Sequence, residues 1–258
     1  TTLIESVIQD DILQNRGWCL ADAHGDVAEK LIRFLASLWQ KKEGRQKEEI
    51  SRRLILVEPF NHDSVVGFNP LEVSSGTSVY SCALEMMNVF KTRWPDFGPR
   101  MEELFRTCLV TLGENKLTLL EMPILLTNRE ARDSMVKNLT NEEIKAYWLE
   151  RYNKLSQGSE VQYREPVLNK ITEFLTDENL RYMLGQARST LDFRKAMDEG
   201  RWVILNIAKG KLKSNALLLG GLFLAKLQLA ALSRADIPFQ KRRPFHLVLD
   251  EFQNFINA

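Results

Sequence analysis

Phe245-His246-Leu247-Val248-Leu249-Asp250-Glu251 runs apolar over most of its length and stops on two carboxylates. A short apolar run bounded by charge reads as a strand buried on both faces, the kind found in a parallel sheet covered by helices. The acidic pair then falls at the strand's carboxyl end, the edge at which open α/β sheets bind ligands. There, a first carboxylate can hold Mg²⁺, commonly through water, and a second can polarise an attacking water. Any strand can also run into an acidic loop, so the pair alone divides evenly between chemistry and a plain strand end.

Three more runs of the same kind lie upstream. Trp18 to Ala21 ends at Asp22, Leu54-Ile55-Leu56-Val57 stops at Glu58-Pro59, and Trp202 to Ile207 precedes Lys209-Gly210. Helical patterns sit between them. Apolar residues at Leu3, Ile4, Val7, Ile8 and Ile12 share one face of a helix over 3–14, with Arg16-Gly17 as its stop. Asp26, with Glu29 in the capping-box position, opens a helix to about Trp39. Residues 40–53 read as a solvated helix end and linker, and 214–233 as a long buried helix. Strands alternating with helices predict an α/β fold with a parallel sheet. The polar residues Asp22, His24, Glu58, Asn206, Lys209, Asp250 and Glu251 would then gather along one edge.

From residue 77 to residue 199 the apolar spacing is helical throughout. It predicts helices over 78–93, 99–112, 128–139, 141–155, 165–176 and 178–184, with Gln157-Gly158-Ser159 as a turn. The expected organisation is an α/β core over 1–76, an all-α insertion over 77–199, and the rest of the core over 200–258.

Composition narrows the class. The chain has 258 residues, 44% of them hydrophobic, and a formal net charge of +1. No global basic field speaks for nucleic acid, so any DNA contact must come from local patches. Cys19, Cys82 and Cys108 are widely separated. That spacing argues against a zinc site or a disulfide framework and fits a reducing cytoplasm. His24, His62 and His246 have no ligand spacing either. The stretch 216–232 is short for a membrane span and is interrupted by Lys226 and Gln228.

Other candidates come from position. Thr1-Thr2-Leu3-Ile4 opens a helix in the manner that follows a G-x-x-x-x-G-K phosphate loop, although an N-cap reads the same way. Asp22 and His24 could approach a nucleotide, although a lone histidine more often packs than ligates. Lys209, Lys211 and Lys241-Arg242-Arg243 could touch phosphates, but charge alone favours solvated surface by about two to one. Arg100, Arg129, Arg132 and Arg188 offer a guanidinium for a neighbour's phosphate, and nothing in the sequence selects one.

Taken in order, these stretches resemble the hexameric DNA-pumping ATPases of conjugation and type IV secretion, the coupling-protein branch of the HerA/FtsK-type P-loop ATPases. The resemblance rests on Thr1-Thr2-Leu3-Ile4, Leu20-Ala21-Asp22-Ala23-His24-Gly25-Asp26, Val66-Gly67-Phe68-Asn69-Pro70-Leu71 and Gly98-Pro99-Arg100-Met101-Glu102. It continues through Leu184-Gly185-Gln186 with Ser189, 200–207 with Lys209-Gly210, and Leu249-Asp250-Glu251-Phe252-Gln253-Asn254-Phe255. Ala23 stands where the family often has proline.

The resemblance implies a RecA-like P-loop core, ATP and Mg²⁺ as cofactors, and a homo-hexamer moving DNA among conjugation or secretion proteins. It places the protein in the cytoplasm, with a tether to the membrane's inner face through other segments. By position, Thr1 and Asp250 would bind Mg²⁺, Thr1 and Thr2 the nucleotide, and Glu251 would activate water. The Gly-Lys of the phosphate loop is expected just before Thr1, and a partner glutamine and arginine beyond Ala258, so this segment alone is expected not to hydrolyse ATP. The alternatives are a secretion ATPase moving protein, and a non-hydrolysing docking module on a P-loop scaffold.

Overall fold

The computed structural model describes residues 2–61, 63–73 and 76–252. Thr1 and His62 lie outside the described residues, as do Gln253, Asn254 and Phe255 of the last motif. The chain divides into two compact units. One comprises the residues up to Val66 together with those from Leu191 onward, and the other is Gly67–Thr190.

The first unit is α/β. Its four strands, β1 (Gly17–Asp22), β2 (Leu54–Val57), β3 (Trp202–Asn206) and β4 (Phe245–Asp250), form one sheet in the order β2-β3-β1-β4. Every pairing is parallel, so all four carboxyl ends point the same way. β1 and β3 are buried along their whole length. Their alternate side chains point to opposite faces. Trp18, Leu20, Trp202 and Ile204 face α1 (Thr2–Leu13) and α2 (Asp26–Gln40), where they meet Ile8, Ile12, Val27, Leu31 and Leu35 in a continuous apolar core. After α3 (Arg45–Arg53), whose chain leads straight into β2, the next helices of this unit are α11 (Phe193–Glu199), the short α12 (Lys209–Leu212) and α13 (Asn215–Ser233). Among the described residues, α13 is the one helix long and apolar enough to cross a membrane, and most of that stretch is buried.

Several local expectations are corrected. β4 is an edge strand, only partly buried along its length, and Leu247 is 44% exposed. Glu251 is not in the strand; it occupies the turn beyond, at φ 57. Residues 45–53 are a helix rather than a linker, and Arg53 is nearly fully buried. The stop of α1 is Asn15, not Arg16-Gly17. Asn15 takes the left-handed conformation at φ 59, which asparagine tolerates better than most residues, while the Arg16 N–H closes on the Asp11 carbonyl at 2.8 Å. Gly17 serves packing instead, since a Cβ there would lie 2.6 Å from Gly200 Cα.

The second unit is helical, and α11 belongs with the first unit, so its extent is Gly67–Thr190 rather than 77–199. It contains α4 (Val79–Arg93), α5 (Pro99–Glu114), α6 (Met122–Thr127), α7 (Arg129–Lys137), α8 (Glu142–Ala146), α9 (Gln157–Leu175) and α10 (Glu178–Leu184). Ser78, Asn128, Asn141, Ser156 and Asp177 each cap a helix by accepting a backbone N–H. Ser156 explains why 157–159 is helix and not a turn: its hydroxyl takes the Ser159 N–H and starts α9 early. Downstream of α8, Tyr147–Arg151 widen into a π-helical turn, and the Trp148 ring N–H reaches the Thr111 hydroxyl at 2.8 Å.

Candidate functional site

The parallel register sets Asn206, Asp22 and Asp250 side by side at the carboxyl ends of β3, β1 and β4. Glu58 follows β2 and joins the row, taking the Asn206 side-chain N–H at 3.0 Å. The polar residues that end these runs in the sequence therefore lie along one sheet edge.

Their roles differ. Asp22 is fully buried and its carboxylate is spent on backbone. Oδ1 accepts the N–H groups of His24 at 2.9 Å and Gly25 at 2.8 Å, and Oδ2 accepts that of Ala28 at 2.8 Å. Ala28 is in the first turn of α2, so Asp22 supplies the cap expected of Asp26. Gly25 occupies the cap position at φ 93 and has no side chain to accept an N–H, and Asp26 is already inside the helix. At the β1–α2 junction the backbone N–H groups of the turn and of the first turn of α2 converge on the chain's own carboxylate. Asp22 is a positioning group and not a free ligand.

Asp250, unlike Asp22, stays partly open to solvent. It is half-buried, and both burial and the neighbouring Asp22 carboxylate hold its carboxyl above the usual range. A nearby cation or phosphate-bound metal would reverse that penalty. Glu251 is exposed beside it, in the left-handed region that a branched or long side chain adopts only under constraint. His24 is exposed on the turn after β1. Lys209 is exposed, and its backbone N–H donates to the Ala23 carbonyl at 2.8 Å, which ties the start of α12 to that turn.

Thr2 is exposed at the start of α1. Near the other end of that helix Asp11 meets His246 at 2.7 Å, at the beginning of β4. The C-terminal end of α1 therefore sits at the start of β4, and Thr2 lies at the other end of the helix. Thr1 lies outside the described residues, so the structure places no hydroxyl for a metal there.

Of the remaining candidates, Arg132 is removed. It is 2% exposed and bonded to Asn153, the Leu125 and Leu126 carbonyls and Glu160. Arg242 and Arg243 are not free surface charge. Arg242 donates to the Ile237 carbonyl, and Arg243 to those of Glu199 and Asn15. Arg129 pairs loosely with Asp133 at 3.9 Å.

Asn206 was visible in the sequence only as a polar strand end. Its Oδ1 is buried and has no hydrogen-bond partner among the described residues, close to the Gly25 turn. No spacing or motif signals such an orphan, because it arises from neighbours brought together by the fold.

Among the described residues no cluster of three or more His, Cys, Asp or Glu side chains can hold a metal by itself. Mg²⁺ does not need one, since it keeps several waters and binds through one or two carboxylates plus substrate phosphates. Asp250 suits that limited role, whereas both oxygens of the buried Asp22 already accept backbone N–H groups. No family model, curated protein or solved structure matches this chain.

Proposed function

We propose that this chain forms the acidic half of the nucleotide site of a RecA-like P-loop ATPase, and that the intact protein uses ATP and Mg²⁺ to move DNA as part of a homo-hexameric ring. The observation that carries this reading is the placement of Asp250-Glu251. Asp250 ends a strand of an all-parallel sheet and Glu251 follows it in the turn, at the edge where the neighbouring strands also end in polar groups. Bound Mg²⁺ would polarise the transferred phosphate and offset its developing charge. Asp250 would hold the ion, directly or through water. Glu251 would orient the attacking water and take its proton. Asp22 would keep the adjoining turn rigid, and Thr1 and Thr2 would approach the same edge from the start of α1.

The DNA assignment rests on the order of motifs in the sequence, and its placement is in the cytoplasm beside the conjugation or secretion machinery. A protein cargo is the second reading, favoured by the formal net charge of +1. The test is Glu251→Gln in the intact protein. ATP binding should persist and turnover should fall by about 10² or more. Unchanged turnover would remove Glu251 from the role of base. Stimulation of turnover by DNA, compared with stimulation by a secreted protein, decides between the two cargoes.

A further inference from the structure

The helical unit contains a groove of about 820 Å³ that none of the chemistry above uses. The first turn of α5 forms one wall through Arg100 and Met101. One face of α9 forms the other through Gln162, Tyr163, Pro166 and Asn169. The volume lies in the usual range for ligand sites.

Its charge is specific. At the rim, Lys170 is neutralised by Asp96 at 2.8 Å and held beside the rings of Trp94 and Phe97. Arg100 is exposed and lies 5.6 Å from the Tyr163 ring, and among the described residues no carboxylate pairs with it. The groove thus offers one unneutralised guanidinium, stiffened by an aromatic face and shaped to take a carboxylate in bidentate fashion.

The α9 wall adds backbone-like hydrogen bonding. Pro166 lies inside the helix and has no N–H to give the Gln162 carbonyl one turn earlier. That carbonyl therefore goes without its usual intrahelical partner, on a helix whose Gln162 and Asn169 line the groove. The two amides are seven positions apart, about 10.5 Å along a helix. The spacing matches about three residues of extended chain. A polypeptide supplies both the N–H donors and the carbonyl acceptors that these groups need. A DNA backbone supplies no donors, and a single free cation is a poor track for the charge of any nucleic acid. Met101 and Pro166 supply apolar surface beside the guanidinium.

We propose that this groove binds an extended polypeptide segment of a partner protein that carries an acidic residue beside an apolar one. The proposal concerns the helical unit alone and stands or falls independently of the ATPase reading. It is tested by titrating isotope-labelled full chain with acetyl-Leu-Asp-Leu-Glu-Leu-amide while following the side-chain amide signals of Gln162 and Asn169 by NMR. Acetyl-Leu-Lys-Leu-Lys-Leu-amide and oligothymidylate serve as comparisons.

The acidic peptide should shift both amides saturably, and the lysine peptide should not. Arg100→Glu should weaken the acidic peptide by about tenfold or more and admit the lysine peptide. If Arg100→Glu perturbs the fold, as judged by its spectrum, Asn169→Leu should give the same loss with Arg100 intact. No saturable shift, equal response to both peptides, or indifference to these substitutions would overturn the proposal. So would oligothymidylate saturating the same signals more tightly than the peptide.

Discussion

Asp22 stands directly opposite Asp250 in the parallel register, yet the two carboxylates do different work. Asp22 is sealed under three backbone N–H groups, while Asp250 stays half-open to solvent and carries the cost of having Asp22 beside it.

The first consequence is for stability. Asp22→Ala removes a charged acceptor and strands three donors at a buried turn. It should cost about 2–3 kcal/mol. Asp22→Asn keeps one oxygen and should cost less. Urea unfolding of both variants measures the difference, and an unchanged midpoint for the alanine variant would contradict the capping role.

Arg53 binds the opposite edge of the same sheet. It donates to the carbonyls of Gly200, Asn15 and Arg16, and its guanidinium lies 4.5 Å from the Trp202 ring. No carboxylate among the described residues pairs with it, so its hold is on carbonyl dipoles. Arg53→Ala should destabilise by about 3 kcal/mol or more, because it leaves several buried acceptors unmet. Arg53→Lys should recover little of this, since a point charge cannot span the same three carbonyls on two chain segments. Calorimetric melting of the two variants is the check.

Close backbone approach at that edge gives a third expectation. Gly17→Ala places a methyl group 2.6 Å from Gly200 Cα and 2.8 Å from the Phe245 ring. Backbone cannot swing aside as a side chain can, so a loss of about 1–3 kcal/mol is expected. Gly158→Ala is the control, because nothing lies within 4 Å of the added methyl. A Gly17→Ala variant as stable as this control would show that the two segments separate freely.

The groove rim gives a pH dependence. The hydrogen bond from Lys170 holds the Asp96 carboxyl below the usual range. A depressed carboxyl contributes its stability above the unfolded value, about 3.9, and loses it as pH falls through the folded value. Asp96 is exposed, so the stability effect is small and the titration itself is the better measurement. Lys170→Met should return the Asp96 carboxyl carbon's NMR midpoint upward to the ordinary range. A midpoint that does not move would sever the pair.

Much of this architecture is written locally. β2 and α10 begin and end where apolar runs meet Glu58-Pro59, Asp177 and Gly185. Such stretches carry their own punctuation, and the edge shared by Asp22, Asn206 and Asp250 follows once the strands are parallel. The strand order does not follow. β1 pairs with two strands more than a hundred residues downstream, and no periodicity records which strand lies inside. This is why β4 reads as buried and proves to be marginal: Phe245, Leu247 and Val248 are apolar in either position.

Charge-rich segments mislead for a related reason. Residues 45–53 look like linker because lysine, arginine and glutamate dominate them, but the decisive contact is made by Arg53 with carbonyls far away in sequence. Asp26 and Asp22 show the same limit at shorter range. The local rule selects Asp26 as cap, and the turn geometry hands the task to a residue inside the preceding strand.

β4 leaves one flank of the sheet unpaired among the described residues, and that gives the sheet a direction in which to widen. A strand laid parallel along that flank would cover Leu247 and satisfy a row of backbone donors and acceptors. It would also shift Asp250-Glu251 from the margin to the interior of the sheet. The acidity of Asp250 and the access of water to Glu251 are therefore set as much by what borders β4 as by β4 itself.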